Sequence, residues 1–456
     1  MKPAHYKFSV ISILVLFIFG IYFFQKLKAP FSYTKTNAVG VTSVDGGDGN
    51  GDGKVDGIDF ILWLSHYNQS TGNGPRDGDF NSNGYVDGVD FTLWFANYGR
   101  TIATPTNTIR PTNTNTPTPS GPTPTLPPIG QVKGIWISQE ELNRLPTSGA
   151  AWDKVNAAAN SSWGSACLYD NNCNHDVNTL AGALVAARTG NASMRAKTIA
   201  GITAAMNETQ FSRVLEMSRG FQTYIIAADI IGYRTPEFEQ WIRNMVVKPL
   251  AGHSGGGNLL ETAEFSANNW GGHSRASLAA AGVYLNDANM ISKVVTAQRA
   301  FIGISAPGNQ MVYTSTNWHA DPGNKAGENR KGATRNGISI SGVLPEDWRR
   351  TAEYQWPPQI SGYMWEGMQG YIVATVILQR AGLLSLAEGD NALMRAMDIL
   401  YHKGEAAINP TWVNAASGDD TWIPWVANYY LNENRYPTQS ASPGKNMGWT
   451  DWTHVR

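Results

Sequence analysis

The most regular pattern in this chain is a helical spacing of apolar residues from Gly130 to the C-terminus. Apolar residues recur there at i, i+3, i+4 and i+7, which lines one face of an α-helix. The spacing predicts helices over residues 177–189, 214–231, 275–285, 290–302, 364–381 and 391–407. Because small residues on several of these helices allow close packing, we expect a mostly α domain over 129–456, an (α/α) toroid or incomplete barrel. An open helical array is the alternative, and alternation typical of strands is confined to 312–314 and 338–340.

A different apolar pattern lies at the N-terminus, where residues 8–24 form an uncharged run. Its length is close to the minimum for a membrane-spanning helix. Lysines flank the run, and no small-residue cleavage site follows it. The pattern therefore favours an uncleaved signal anchor within residues 1–30. The lysines on both sides do not set its orientation; the calcium-loop repeat and the linker that follow it belong on the extracellular face of the membrane. A cleaved signal peptide, and hence secretion, is the alternative.

Between residues 41 and 100 the chain carries a repeat rich in Asp, Asn and Gly. In each copy, oxygen-bearing side chains occupy positions 1, 3, 5, 9 and 12 of a loop, Gly occupies position 6, and position 7 offers its backbone carbonyl, as in EF-hand calcium loops. An aromatic helical stretch follows each loop, and the second copy begins 31 residues after the first. The predicted ligands of two Ca²⁺ ions are Asp48, Asn50, Asp52, Lys54, Asp56 and Asp59, then Asp79, Asn81, Asn83, Tyr85, Asp87 and Asp90.

The repeat resembles the dockerin type I family, because position 12 is Asp and neither copy has an entering helix. The resemblance covers residues 45–99 and implies calcium-dependent folding and a cohesin partner. Dockerins choose their cohesin with small polar residues just before position 12. Here those positions are Gly57-Ile58 and Gly88-Val89, which departs from the pattern of standard cohesin binders. A cohesin-like protein is one candidate partner; the alternatives are that the module docks onto another protein or only caps the membrane-proximal stalk.

Composition separates the modules and excludes one class of partner. Residues 101–128 are mostly Thr, Pro and Asn, which predicts an extended linker. The net charge is −1 and no basic face is evident, which excludes nucleic acid as a partner. The 16 Trp and 18 Tyr residues suit sugar surfaces as well as a core. The two cysteines, Cys167 and Cys173, could form a disulfide in an exported chain.

Segments of the C-terminal domain resemble the alginate lyase superfamily. The stretch 176–191 is similar to its opening helix, 222–229 to its next helix pair, and the run Asn268-Asn269-Trp270-Gly-Gly-His273 to the start of its catalytic helix. The likeness spans about 176 to 380. It implies a polysaccharide lyase that cleaves a uronic-acid-containing polymer, alginate-like or glucuronan-like, by β-elimination.

Such a lyase must neutralise a carboxylate, remove the C5 proton and protonate the leaving oxygen. By resemblance, Asn268 and Asn269 neutralise the carboxylate, although Asn268 could equally cap a helix. His273 lies four residues after Asn269, on the same helix face, and is a candidate base. Trp270 stands where the superfamily places its His and is a candidate substrate contact. His319 is a third candidate base.

The second half of the predicted site follows Glu346. By resemblance, Tyr354 is the catalytic acid, or both acid and base in a syn elimination, and Arg350 binds the uronate or lowers the pKa of this tyrosine. Arg349 is an alternative arginine and Tyr363 a rival tyrosine. Ion pairs of both arginines with Glu346 and Glu353 are the structural alternative. The basic stretch that contains Arg330, Lys331 and Arg335 would suit an anionic polymer.

Two other functions stay open from the sequence. An (α/α)-barrel glycoside hydrolase would need two facing carboxylates, for which the candidates are Glu264, Glu346, Glu353 and Glu366. A non-catalytic glycan-binding or scaffold protein would lack the Asn, His, Arg and Tyr group altogether.

Overall fold

A computed structural model describes residues 47–99 except 52, and 134–456 except 316, 351–352, 360, 404–415 and 441–446. The predicted anchor (1–30) and linker (101–128) lie outside these residues. Within the described part of the chain, no helix has the length and apolarity needed to cross a bilayer. The chain divides into two compact units, Met1–Pro119 and Ser120–Arg456.

The described part of the first unit consists of two loop-helix repeats whose helices contact each other. Helices α1 (Gly57–His66) and α2 (Gly88–Asn97) follow the two acidic loops, with a 3₁₀ turn at Gly74–Asp77 between them. The Trp63 indole donates to the Asp87 carbonyl, and the Trp94 indole donates to the Asp56 carbonyl, both at 2.8 Å. Each repeat therefore fixes the loop of the other, so the two must fold together.

The second unit is mostly helical, as the apolar spacing predicts. Its helices are α3 (Gln139–Arg144), α4 (Ala150–Asn160), α5 (His175–Thr189), α6 (Ala192–Met206), α7 (Val214–Ile230), α8 (Pro236–Val246), α9 (Leu259–Phe265), α10 (Asn269–Leu285), α11 (Ala288–Phe301), α12 (Pro345–Trp348), α13 (Tyr363–Arg380), α14 (Glu388–Leu400), α15 (Ile423–Leu431) and α16 (Thr450–Thr453). A 3₁₀ turn covers Gly418–Asp420, and the short strands β1 (Thr334–Arg335) and β2 (Ile338–Ser339) pair antiparallel.

The core lies around α5, α7, α10 and α13. Every residue of α10 is buried, and so are most residues of α7 and α13. A helix that is apolar or small on all faces must be surrounded by others, and α10 packs against α7, α9, α11 and α13. By contrast α8 buries one face, from Phe238 to Val246, and leaves the other exposed.

The predicted helices all occur, with shifted ends. The segment 275–285 belongs to a helix that starts at Asn269, because Asn268 caps it by accepting a hydrogen bond from the Trp270 N–H. The segment 391–407 is represented by α14, which starts at Glu388 with left-handed residues at 389–391 and ends at Leu400. The predicted strand at 312–314 is wrong, because only Val312 pairs there, in a single bridge to Ser266. Cys167 and Cys173 are disulfide-bonded.

Glycines allow α10 and α13 to approach closely. A Cβ on Gly370 would lie 2.3 Å from the backbone carbon of Gly272 and 2.4 Å from the His273 nitrogen. A Cβ on Gly272 would lie 2.6 Å from the Tyr371 ring. Real atoms do not approach this closely, so a side chain at either position would force the two helices apart.

We predict that Gly370→Ala destabilises the helical unit by about 3 kcal/mol, because the added methyl meets backbone atoms that cannot move aside. Urea unfolding followed by far-ultraviolet circular dichroism measures the effect. Gly362→Ala is the matched control: it lies just before α13 with open space around its Cβ, and its effect should stay within about 0.5 kcal/mol. Equal effects of the two changes would contradict the close approach.

Candidate functional site

In the first acidic loop, two buried aspartates organise the backbone. The Asp48 carboxylate accepts the N–H groups of Gly51 and Gly53, at 2.8 Å each. The Asp59 carboxylate accepts those of Gly49 at 2.7 Å, Asn50 at 3.1 Å and Asp56 at 2.8 Å. Burial raises the pKa of Asp59, and the charge of Asp48 adds to the rise. Two buried like charges in one loop are the environment that a divalent cation relieves.

The second loop repeats this arrangement. Asp79 accepts the N–H groups of Asn83 and Gly84, and Asp90 accepts those of Asn81 and Asp87. The Asn81 and Asn83 side chains turn their amide oxygens back toward the loop backbone. Asp56 and Asp87 also cap α1 and α2.

The oxygen-rich donor set of both loops suits calcium. Of the predicted ligands, Asp52 lies outside the described residues, and Lys54 and Tyr85 would contribute backbone carbonyls only. No cluster of three or more His, Cys, Asp or Glu side chains positioned for a metal is found in the described parts of either unit. In these loops amide and backbone oxygens must therefore complete any coordination shell.

Both helices of the first unit carry exposed apolar side chains at equivalent positions. Ile58 and Leu64 on α1 are 54% exposed each, and their counterparts on α2, Val89 and Phe95, are 53% and 68% exposed. Exposed apolar side chains gathered on one small module are typical of a docking surface.

In the second unit, the N-terminal parts of α7, α10 and α13 come together. Arg219 on α7 forms an ion pair with Glu366 on α13. The Ser277 hydroxyl on α10 donates to the Ser218 carbonyl on α7 at 2.6 Å. Helix N-termini carry partial positive charge and favour anions. Polar groups that project from these ends are therefore candidates for an anion-binding site.

The first part of the candidate site joins Asn268 to a histidine that the sequence analysis missed. The Asn268 side-chain nitrogen lies 3.1 Å from His253 Nε2. His253 Nδ1 lies 2.8 Å from the Ser254 hydroxyl and 3.2 Å from the Ser266 hydroxyl. An amide N–H directed at Nε2 makes that nitrogen the acceptor, which is the basic nitrogen of a neutral imidazole. Its only sequence signal is a lone His in a Gly-rich turn, fifteen residues before Asn268.

The second part joins Asn269 to Arg350 and Tyr363. Arg350 Nη1 donates to the Asn269 side-chain oxygen at 2.9 Å. The same guanidinium lies over the Tyr363 ring, 4.4 Å from its centroid. Arg350 is half-buried and Tyr363 is 38% exposed, so both can meet a ligand. Asn269 and Arg350, both named from the sequence as site residues, are hydrogen-bonded, and the tyrosine beside Arg350 is Tyr363.

The two parts are also linked electrostatically. Burial lowers the pKa of His253 below its usual 6.5, and the positive charges of Arg350 and Arg349 lower it further. Glu346 opposes this effect. His253 is therefore mostly neutral at pH 7 and able to accept a proton.

Other predicted residues lie elsewhere or serve the structure. His273 is 0% exposed in the core of α10, and neither ring nitrogen has a hydrogen-bond partner among the described residues. A general base must reach its substrate, and the buried His273 cannot. We therefore do not include His273 in the candidate site. Tyr354 packs edge-on against Trp318 and lies under Arg335. Its hydroxyl is 3.5 Å from the Arg335 carbonyl. Among the contacts of the described residues, none joins Tyr354 to Asn269.

Trp270 and Arg349 stand at the edge of the cluster. Trp270 is almost fully buried between the His253 ring and the guanidinium of Arg213. Arg349 donates to Glu346 at 2.6 Å. Burial would raise the pKa of Glu346, but hydrogen bonds from His319, Ser315, Thr314 and Arg349 lower it to about 2. His319 is therefore a structural partner of Glu346.

The carboxylates that a hydrolase would need each have their own partner. Glu264 pairs with Lys293 at 2.7 Å, Glu353 accepts from Asn317, and Glu366 pairs with Arg219. Glu346 is satisfied by the four donors named above. Glu366, whose side chain is 29% exposed, stands one helical turn after Tyr363.

Comparison with known proteins identifies the first unit. Residues 46–94 match the dockerin type I domain family, which confirms that part of the sequence prediction. Dockerin type I domains in general bind calcium and cohesin partners and occur in extracellular proteins. No curated protein matches the chain.

The electrostatic link predicts how His253 titrates. Arg350→Gln should raise the pKa of His253 toward 6.5 without reaching it, because burial and Arg349 remain. Nuclear magnetic resonance of the imidazole Cε1–H group across pH measures this value, with His253→Gln used to assign the signal. Arg335→Gln removes a positive charge beside Tyr354 and should leave the pKa unchanged. A shift of the same size in both variants would argue against the electrostatic link between Arg350 and His253.

Proposed function

We propose that the helical unit is a polysaccharide lyase that cleaves a uronic-acid-containing polymer by β-elimination. The observation that carries this proposal is the cluster of Asn268, Asn269, Arg350, His253 and Tyr363 at the helix ends. It combines amide and guanidinium donors for a carboxylate, a neutral imidazole and an accessible phenol.

In the proposed reaction, Arg350 and the Asn269 amide hold the uronate carboxylate and stabilise the negative charge that develops on it. His253 Nε2 removes the C5 proton once the sugar displaces the Asn268 amide from it. The C5–H electron pair forms the C4=C5 double bond, and the C4–O bond breaks. The Tyr363 hydroxyl protonates the departing oxygen, and the proton held by His253 restores the phenol through solvent.

The helical architecture is compatible with this activity. The unit has central helices surrounded by others, and polar residues gather at one set of helix ends. An incomplete (α/α) toroid would present such a set of ends to a polymer. We propose that architecture for the second unit.

For the first unit we propose two bound Ca²⁺ ions and an extracellular, cohesin-like partner. The exposed Ile58, Leu64, Val89 and Phe95 favour a partner with an apolar contact surface. The proposed anchor at residues 1–30 would hold the chain on the outer face of the membrane.

We predict that the purified 456-residue chain generates absorbance at the wavelength of unsaturated uronates from alginate or glucuronan. His253→Ala and Tyr363→Phe should each lower kcat about 100-fold or more, because each removes a proton-transfer group. Tyr354→Phe is the control and should retain activity, since its hydroxyl lies against the Arg335 carbonyl. Circular dichroism verifies that each variant is folded.

The same assay separates the rival functions. New reducing ends without absorbance would indicate hydrolysis. Polymer binding without cleavage would favour a glycan-binding protein. If activity survives Tyr363→Phe but not Tyr354→Phe, the catalytic acid is Tyr354, the tyrosine that the sequence favours.

We predict that the chain binds two calcium ions and that Asp59→Ala and Asp90→Ala each remove one of them, because each deletes the buried position-12 carboxylate. Isothermal titration calorimetry on chelator-treated protein measures the stoichiometry. Asp77→Ala is the control, because this carboxylate accepts from Thr71 and Asn73 in the 3₁₀ turn between the loops. Unchanged stoichiometry in the position-12 variants would contradict the site.

A further inference from the structure

Two adjacent acidic residues on the short helix α12, Glu346 and Asp347, bind different parts of the surrounding structure. Asp347 faces inward and is 0% exposed. Its Oδ1 accepts the backbone N–H of Asn269 at 2.8 Å, and its Oδ2 accepts the Tyr371 hydroxyl at 2.6 Å. Asp347 therefore connects the first residue of α10 to the middle of α13.

Glu346 connects the other side of α12 to the surrounding loop. It accepts the backbone N–H of Ser315 at 2.6 Å, the Thr314 hydroxyl at 2.7 Å and the Arg349 guanidinium at 2.6 Å. Hydrogen bonds thus hold α12 through both acidic side chains. Arg350 lies two residues after the end of this helix, and its guanidinium donates to the Asn269 side chain.

The surroundings leave room for a carboxylate at Asp347. A Cβ on Gly367 would lie 2.6 Å from Asp347 Oδ2, so a larger residue there would displace it. The charged or titratable groups that face the carboxyl are Arg350, Glu346, Tyr371 and Arg275.

Without Asp347, the backbone N–H of Asn269 would be an unpaired donor at the start of α10. Because Asp347 occupies it, this N–H is not available to a substrate anion.

We infer that Asp347 is a positioning residue that sets the separation between Asn269 and Arg350, the pair that would receive the uronate carboxylate. This inference rests on the lyase function proposed above. Asp347 touches neither substrate nor the reacting atoms; it acts through the Asn269 backbone. A displacement of about 1 Å at such a pair is enough to lower a rate by about 100-fold.

Asp347 links the Asn269 N–H to the Tyr371 hydroxyl. Substitutions of Asp347 and Tyr371 distinguish a positioning role from a general contribution to stability. Asp347→Ala deletes the acceptor of the Asn269 N–H, whereas Asp347→Asn keeps an oxygen of the same reach. Tyr371→Phe is the matched control, because it removes the other hydrogen bond to the same carboxyl and leaves the Asn269 contact in place. Melting temperature, kcat and KM on a cleaved polyuronate are measured for the full chain.

We expect Asp347→Ala to lower kcat about 100-fold, with Asp347→Asn and Tyr371→Phe staying within about 10-fold of wild type. A purely structural role predicts instead that kcat follows melting temperature, so that Asp347→Ala and Tyr371→Phe lose activity together in proportion to their destabilisation. That result, or full activity in Asp347→Ala, would overturn the inference.

A crystal structure of each variant tests the inference independently of activity. In Asp347→Ala, the 2.9 Å contact between Asn269 and Arg350 should be lost, while Tyr371→Phe should retain it. If the wild type cleaves no polyuronate, the proposed function fails, and this comparison still decides whether Asp347 positions the pair. An intact contact in Asp347→Ala would refute the positioning role.

Discussion

The close approach of α10 and α13 is the constraint on which the candidate site depends. Glycines at 272 and 370 let the two backbones pack with no side chain between them. This contact brings the first turn of α10, with Asn268 and Asn269, beside the first turns of α13, with Tyr363 and Glu366. A wider helix spacing would separate the amides from Tyr363 and would break the Asp347 bridge.

Such tight packing buries polar groups, which then need partners. Asp347 satisfies the Asn269 N–H and the Tyr371 hydroxyl. Arg275, fully buried, donates to Gln298 and to the carbonyls of Ala263 and Ser266. These bonds link α9, α10, α11 and α13, so they specify one arrangement of the helices better than apolar contacts would.

The two units differed in how much their sequences could predict. The acidic loops are local in sequence, because every predicted ligand of a loop lies within twelve residues, and their spacing indicated the dockerin family that residues 46–94 match. The helical site joins residues far apart: Arg350 and Asn269 are 81 positions apart. Helical spacing placed His273 and Asn269 on one face, but α10 is buried on all faces, so the spacing carried no information about access. His253 was missed because a Gly-rich turn has no periodicity to mark it.

The distribution of carboxylates bears on the choice between the proposed elimination and hydrolysis. A hydrolase needs one carboxylic acid to give a proton and one carboxylate free to activate water or attack the sugar. Glu346 holds the loop beside α12, Asp347 fixes the start of α10, and Glu264 pairs with Lys293. These acids are committed to positioning other groups. The polar groups gathered beside them are the buried Asn268 and Asn269 amides and the more exposed Arg350, His253 and Tyr363. They include four donors to an anion and one neutral base. That set suits a reaction in which negative charge develops on the substrate.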